Sequence, residues 1–259
     1  MAKFKTGWAF INYSETVRTK YRFAYPPEVT EFLQTLVATS KSRIKHLPAN
    51  YPLWRAQLGH DIMERQIDES DPIVLVEDAV PFSAERMKPR RNAAHEGRAN
   101  PKGIPCLYVA TDKVTAMSEV RPWIGAQISL GHFRTTRDLK LVDFSLGHDL
   151  NLDLDLLFGK LPAKDVLEGV WAQVDRAFSE PISDDTYTAE YAPTQVIAEV
   201  FRREGLDGLV YKSMLGEGFN MALFDLNCAE LVTCSLYKTE KVSIQFNDEC
   251  QTYYVKKQD

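Results

Sequence analysis

Six side chains stand in this chain where packing does not ask for their chemistry. Arg98 and Asn100 lie in the loop Gly97-Arg98-Ala99-Asn100-Pro101-Lys102-Gly103. Tyr108 sits in the apolar run Cys106–Ala110, and Glu119 ends the segment after it. Ser213 and Asn220 bracket Gly216 and Gly218. A guanidinium offers a fork of donors to a pyrophosphate or carboxylate. A carboxylate answers the positive charge of an oxocarbenium-like ribose. A hydroxyl and an amide can fix the geometry of whatever lies between. Converging on one cleft, these groups suit a substrate with phosphates at one end and a cationic, sugar-like transition state at the other. That combination points to cleavage of a nicotinamide nucleotide. Taken singly, each has a plainer reading: Arg98 a surface arginine in a turn, Tyr108 a half-buried core tyrosine, Ser213 a turn residue before glycines. The functional reading rests on their combination.

The elements that must position these groups follow from periodicity. Residues 1–51 read as an N-terminal accessory segment with one helix, whose Val29, Phe32, Leu33, Leu36 and Val37 share a face. Its polar end runs through Lys41, Arg43 and Lys45 to Pro48. The aromatics Trp8, Phe10, Tyr13, Tyr21, Phe23 and Tyr25 are expected to be buried. The main domain, 52–259, opens with a strand at Pro52–Gln57. Residues 60–95 read as a long connection with little regular structure, either a functional lid or a solvated insertion. The run 106–110 is a strand. Thr111 or Asp112 caps a helix ending near Val120, because Pro122 stops it. Glu119 therefore sits in the last turn, against the unfavourable end of the helix dipole. Strands are expected at 126–133, 139–144, 208–211 and 221–224. Helices carry Leu167–Phe178 and Val196–Phe201. Alternating stretches near 231–237, 242–246 and 253–255 close the chain. Mixed strands with helices between them and a β-rich end make an α+β fold, not a doubly wound sheet.

Composition removes several classes. The chain has 31 basic and 36 acidic residues in 259, a net charge of -5, which argues against nonspecific nucleic-acid binding. Cys106, Cys228, Cys234 and Cys250 form no Cys-x-x-Cys pair, and the five histidines show no metal-ligand spacing. They read as reduced thiols and structural or exposed histidines, with no metal site. No secretion signal and no membrane-spanning run is present, so a soluble, cytoplasmic protein is expected. A Walker loop, a Gly-x-Gly-x-x-Gly turn and a Gly-x-Ser-x-Gly elbow are all missing, which leaves neither a Rossmann crevice nor a serine-hydrolase triad.

Taken together, the segments resemble the RES-domain family, over roughly residues 52 to 235. The resemblance rests on Gly97-Arg98-Ala99-Asn100 with Gly103, Tyr108-Val109-Ala110, the helix ending in Glu119, and Tyr191 with Gln195. It continues through Gly205-Leu206-Asp207-Gly208-Leu209-Val210-Tyr211, Ser213, and Asn220 leading to Phe224. It implies an ADP-ribosyltransferase-like mixed sheet with flanking helices, to which this chain adds an N-terminal helical layer. It also implies consumption of NAD+ as substrate, no separate cofactor, and in many members a toxin paired with an Xre-type antitoxin. Carried over by position, Arg98, Tyr108, Glu119 and Ser213 are the catalytic set, with Arg55, Asn100 and Asn220 as substrate-binding residues. Arg98, helped by Arg55, is expected at the pyrophosphate. The acceptor stays open between inorganic phosphate as co-substrate and water. The rival readings are a mono-ADP-ribosyltransferase acting on a protein, a non-catalytic nucleotide-binding module and a protein-interaction domain.

Overall fold

Two helices open the chain, α1 (Ala9–Thr19) and α2 (Pro27–Thr39), followed by a short 3-10 turn, Ser40–Arg43. The strands are β1 (Ile44–Leu47), β2 (Pro52–Leu58), β3 (Asp61–Asp68), β4 (Asp71–Val80), β5 (Leu107–Ala110), β6 (Gln127–Thr135), β7 (Leu139–Asp143), β8 (Gly208–Lys212), β9 (Phe219–Leu223) and β10 (Ala229–Lys238). Between them run α3 (Lys113–Glu119), α4 (Ala163–Ser179) and α5 (Ala192–Arg203). The structure is a computed structural model that describes residues 3–68, 71–90, 93–149, 162–180 and 188–246. No helix among the described residues is long and apolar enough to cross a membrane.

Eight strands form one mixed sheet in the order β1-β7-β8-β9-β5-β2-β6-β10, and the α+β class expected from the sequence holds. Only β7 and β8 run parallel. Alternation explains how the middle of the sheet is covered on both faces. Leu209, Tyr211 and Ala222 point to one side, where Phe144, Trp171, Phe178, Ile197 and Phe201 fill the layer beneath α1, α2, α4 and α5. Val210, Met221 and Leu223 point to the other side, against Leu53, Leu107, Phe133 and Leu141. A smaller cluster of Ala56, Ala110, Ala116, Ile128 and Leu130 holds α3 against the β2–β6 limb.

The sheet nearly divides at one place. β5 pairs with β9 over four residues, and β2 with β6 over seven, but β2 and β5 share the single pair Trp54↔Ala110. The two limbs splay there, and the gap between them holds the candidate site.

Several expectations are corrected. The N-terminal segment holds two helices where one was expected, and it is not only a helical layer. Its polar end turns through the 3-10 segment and becomes β1, which pairs with β7 at the sheet edge. Of its aromatics, Phe10 and Tyr13 are buried, whereas Phe23 is 95% exposed. The connection 60–95 contains a regular antiparallel ribbon, β3 with β4, separate from the main sheet. Its Ile62 and Met63, neighbours on opposite faces of β3, are both exposed. Residues 242–246 are not a strand. The strand expected at 253–255, and Cys250, lie outside the described residues.

Candidate functional site

Glu119 is held from three directions. Asp112 caps α3 by accepting the Thr115 amide at 2.8 Å, and Glu119 is the last residue of that short helix. Arg121 then takes a left-handed backbone (φ 46) before Pro122, which turns the chain away. Across the cleft, the loop from Ser213 to Gly218 folds onto the start of α3. The Gly218 amide donates to Thr115 Oγ1 and the Phe219 amide to Thr111 Oγ1, each at 3.0 Å. The approach is close enough that a Cβ on Gly218 would lie 2.0 Å from Asp112 Oδ2. This contact carries two donors to one carboxylate oxygen: Ser213 Oγ and Asn220 Nδ2 each reach Glu119 Oε1 at 2.6 Å. Glu119 Oε2 receives no hydrogen bond among the described residues.

Ser213 is fully engaged. Its proton goes to Glu119, and its oxygen accepts the amides of Leu215 at 3.1 Å and Gly216 at 3.0 Å. A hydroxyl so used holds a carboxylate in place and is not free to act as a nucleophile. Asn220 is likewise turned to Glu119. Both were expected to hydrogen-bond the substrate.

The opposite wall is built on β5. Tyr108 Oη donates to Asn100 Oδ1 at 2.7 Å and accepts the Ala99 amide at 2.9 Å. Asn100 Nδ2 donates to the carbonyls of His95 and Pro101, and Gln195 Nε2 to those of Gly97 and Asn100. The loop is therefore braced from inside, and Gly97 is required: a Cβ there would lie 2.6 Å from Tyr108 Oη. Burial raises the Tyr108 phenol well above its ordinary value. Tyr211 is raised too, by burial first and then by the charge of Glu119, with Arg98 opposing.

Arg55, on β2, reaches across the split to donate to the Tyr108 carbonyl at 3.0 Å. Its Nε is buried without a hydrogen-bond partner, and Arg55 forms no ion pair among the described residues. Burial pushes its pKa down to about 10, with Tyr108 opposing that fall. A half-buried guanidinium with no counter-charge is costly, and an anionic ligand would relieve it.

Two cavities meet at Arg55, Gln57 and Tyr108. The cleft chamber, about 610 Å³, is lined by Trp54, Ala110, Glu119, Tyr211 and Asn220 besides the shared residues. The basic chamber, about 480 Å³, is lined by Arg86, Lys88, Arg90, His95, Glu96 and Asn100 besides the same three. Tyr108, Glu119, Arg55, Asn100 and Asn220 thus gather at this pair of cavities, with Ser213 directly behind Glu119. Arg98 does not line either one. Its guanidinium donates to the Ala177 carbonyl at 2.8 Å and to the Glu180 carbonyl, at the C-terminal end of α4. Carbonyls left over at a helix end attract a cation, and this is where the residue expected at the pyrophosphate goes. Trp54, stacked on His132 with ring centroids 5.3 Å apart, is a cavity residue that the sequence reading missed. Its position beside Arg55 in a strand was the available signal. Among the described residues, no group of three or more His, Cys, Asp or Glu is arranged to hold a metal ion.

No curated protein matches the chain. A chain of the M. tuberculosis MbcT-MbcA toxin-antitoxin complex is similar at 16% identity and a TM-score of 0.39, over 78% of this chain and 92% of that one. A likeness of that degree says nothing of activity or partner. The RES domain model matches residues 76–247, well over half of the sequence, and so the chain belongs to the RES-domain family.

Proposed function

We propose that the protein cleaves the nicotinamide–ribose bond of NAD+ and passes the ADP-ribosyl group to inorganic phosphate or water. The observation that carries this reading is the pairing, across one cleft, of a carboxylate with one fixed oxygen and a half-buried arginine without a counter-ion among the described residues. Arg55 takes the pyrophosphate. The ribose lies toward Glu119, whose free Oε2 faces the developing positive charge at C1″. The C1″–N bond breaks with its electron pair leaving on neutral nicotinamide, so no strong general acid is needed. A bond forms from the acceptor oxygen to C1″, and the acceptor proton passes to solvent or to Glu119. Ser213 and Asn220 act as positioning residues that aim the carboxylate before the charge appears, which is how electrostatic catalysis avoids reorganisation. Tyr108 braces the 97–100 loop and presents its ring to both chambers.

The test is incubation of purified protein with NAD+, with and without phosphate, and identification of products by mass. ADP-ribose marks hydrolysis and ADP-ribose 1″-phosphate marks phosphorolysis. NAD+ that protects the fold against heat yet stays intact would reduce the protein to a nucleotide-binding module. Family membership also motivates a toxin role with an Xre-type antitoxin. Growth arrest on expression, relieved by a neighbouring Xre-type protein and absent in Glu119→Gln, is the expected result.

A further inference from the structure

The basic chamber carries more positive charge than the pyrophosphate of NAD+ can use. We propose that it recognises a phosphate monoester on the adenosine half of the substrate, so that the protein takes a 2′-phosphorylated dinucleotide of the NADP+ type in preference to NAD+. This rests on the cleavage reading above and concerns the far end of the same substrate.

Arg55 borders both cavities. With the scissile bond beside Glu119 and the pyrophosphate at Arg55, the proposed adenosine half extends past Arg55, Gln57 and Tyr108, which line both cavities, into the basic chamber. It enters a chamber of about 480 Å³, within the usual range for small-molecule sites. Pro89, Ala93, Ala94 and Pro105 give that chamber apolar surface for a purine. Among the described residues its charges are Arg86, Lys88, Arg90 and a single carboxylate, Glu96, with His95 beside them. Arg86 is already paired with Asp61 at 2.6 Å and lies 3.7 Å over the Phe82 ring. Lys88 and Arg90 pair with no carboxylate among the described residues, and the Lys88 ammonium donates to the Leu226 carbonyl at 2.8 Å. Unmodified adenosine is neutral and offers these two cations nothing. A ribose phosphate, close to doubly charged at neutral pH, answers both through charge-assisted hydrogen bonds. Arginine near the ribose 2′ position is a general solution to this recognition problem.

The proposal is tested by kcat/KM for NADP+ and NAD+ side by side. NADP+ is expected to be favoured about tenfold or more, as two charge-assisted contacts would give. The double variant Lys88→Gln, Arg90→Gln should bring the ratio of the two efficiencies to within about twofold of unity on the same reasoning. Equal efficiencies in the wild type, a preference for NAD+, or a ratio unmoved by the double variant would overturn it. A second arm needs no turnover: calorimetric titration of the wild type with adenosine 2′,5′-bisphosphate and with AMP. The bisphosphate should bind about tenfold tighter or better, and equal affinities would refute the assignment. If neither dinucleotide is cleaved, the cleavage reading fails and this titration alone decides the role of the chamber.

Discussion

Replacing Arg55 with Met should abolish turnover while making the protein more stable. Burial holds the folded guanidinium at a pKa of about 10, well below its ordinary value. A cationic group whose folded value is depressed destabilises the fold at every pH where it is charged. That penalty is fully present at pH 7 and vanishes only as pH rises from about 10 through the ordinary arginine value. At about 1.36 kcal/mol per pH unit the gap corresponds to about 3 kcal/mol. Water in the two chambers screens part of this, so about 2 kcal/mol is a fairer figure. The variant also loses the hydrogen bond to the Tyr108 carbonyl, about 1 kcal/mol, while the Met chain keeps most of the apolar packing of the arginine stem. The net gain is about 1 kcal/mol, or about 2–4 °C in melting temperature for a chain of this size. Thermal and urea unfolding at pH 7 read the stability, and mass detection of nicotinamide release reads the activity. ADP-ribose should raise the melting temperature of the wild type and leave Arg55→Met unmoved. A variant that is destabilised by 1 kcal/mol or more, or that turns over normally, would show that Arg55 is a structural cation and that the anion site lies elsewhere.

Glu119→Gln should keep its fold, because the Gln carbonyl can still accept from Ser213 and Asn220, while kcat falls by roughly 100-fold or more; unchanged turnover would remove Glu119 from the chemistry. Gly97→Ala drives a methyl to 2.6 Å from Tyr108 Oη and should cost about 1–3 kcal/mol in urea unfolding. Adding Tyr108→Phe should recover part of that loss, so strictly additive effects would contradict the contact. Burial raises the Asp112 carboxyl, but hydrogen bonds from the Thr115 amide and hydroxyl outweigh it and hold the pKa below the usual value. A carboxyl depressed on folding stabilises above its unfolded pKa and loses that contribution as pH falls through the folded value. Asp112→Ala should therefore cost about 1 kcal/mol at pH 7, with a difference from wild type that shrinks below about pH 4. A difference that persists at pH 2 would mean that the cap charge is not its source.

The sequence was legible wherever one face of an element met the core. α4 and α5 carry stripes that pack under the sheet, and β8 and β9 read as strands because both of their faces are buried. The β3–β4 ribbon escaped because it stands apart from the main sheet and β3 shows no apolar alternation, its Ile62 and Met63 both being exposed. The first helix was legible in principle: Phe10, Tyr13 and Val17 stand at helical spacing and are buried, but the aromatic density around them masked the period. β1 escaped because four residues after a polar helix end carry too short a pattern. The gathering of Glu119, Ser213 and Asn220 was accessible only as a set of residue types, since these residues are about 100 positions apart and meet only through register. Tyr108 pairs with Ala222 and Tyr211 with Asn220, so β9 sets Asn220 beside both tyrosine-bearing strands.

The site divides its polar groups into those that hold and those that wait. Ser213, Asn100, Tyr108 and Gln195 have donors and acceptors turned to other protein groups, and Arg98 closes a helix end. Among the described residues, two charged groups lining the cleft chamber keep an uncommitted atom: the buried Nε of Arg55 and, on an exposed side chain, the second oxygen of Glu119. An interior polar atom normally finds a partner within the fold, so the Arg55 Nε needs a cause, while the Glu119 oxygen stands open to solvent and to a ligand. They differ in sign, and each lies where the proposed substrate bears the opposite charge: the pyrophosphate at Arg55, the developing ribose cation at Glu119. A ligand with a single charge would satisfy one of them and strand the other. This is why a dinucleotide broken at its glycosidic bond accounts for the cleft better than a simple phosphate or a neutral nucleoside does.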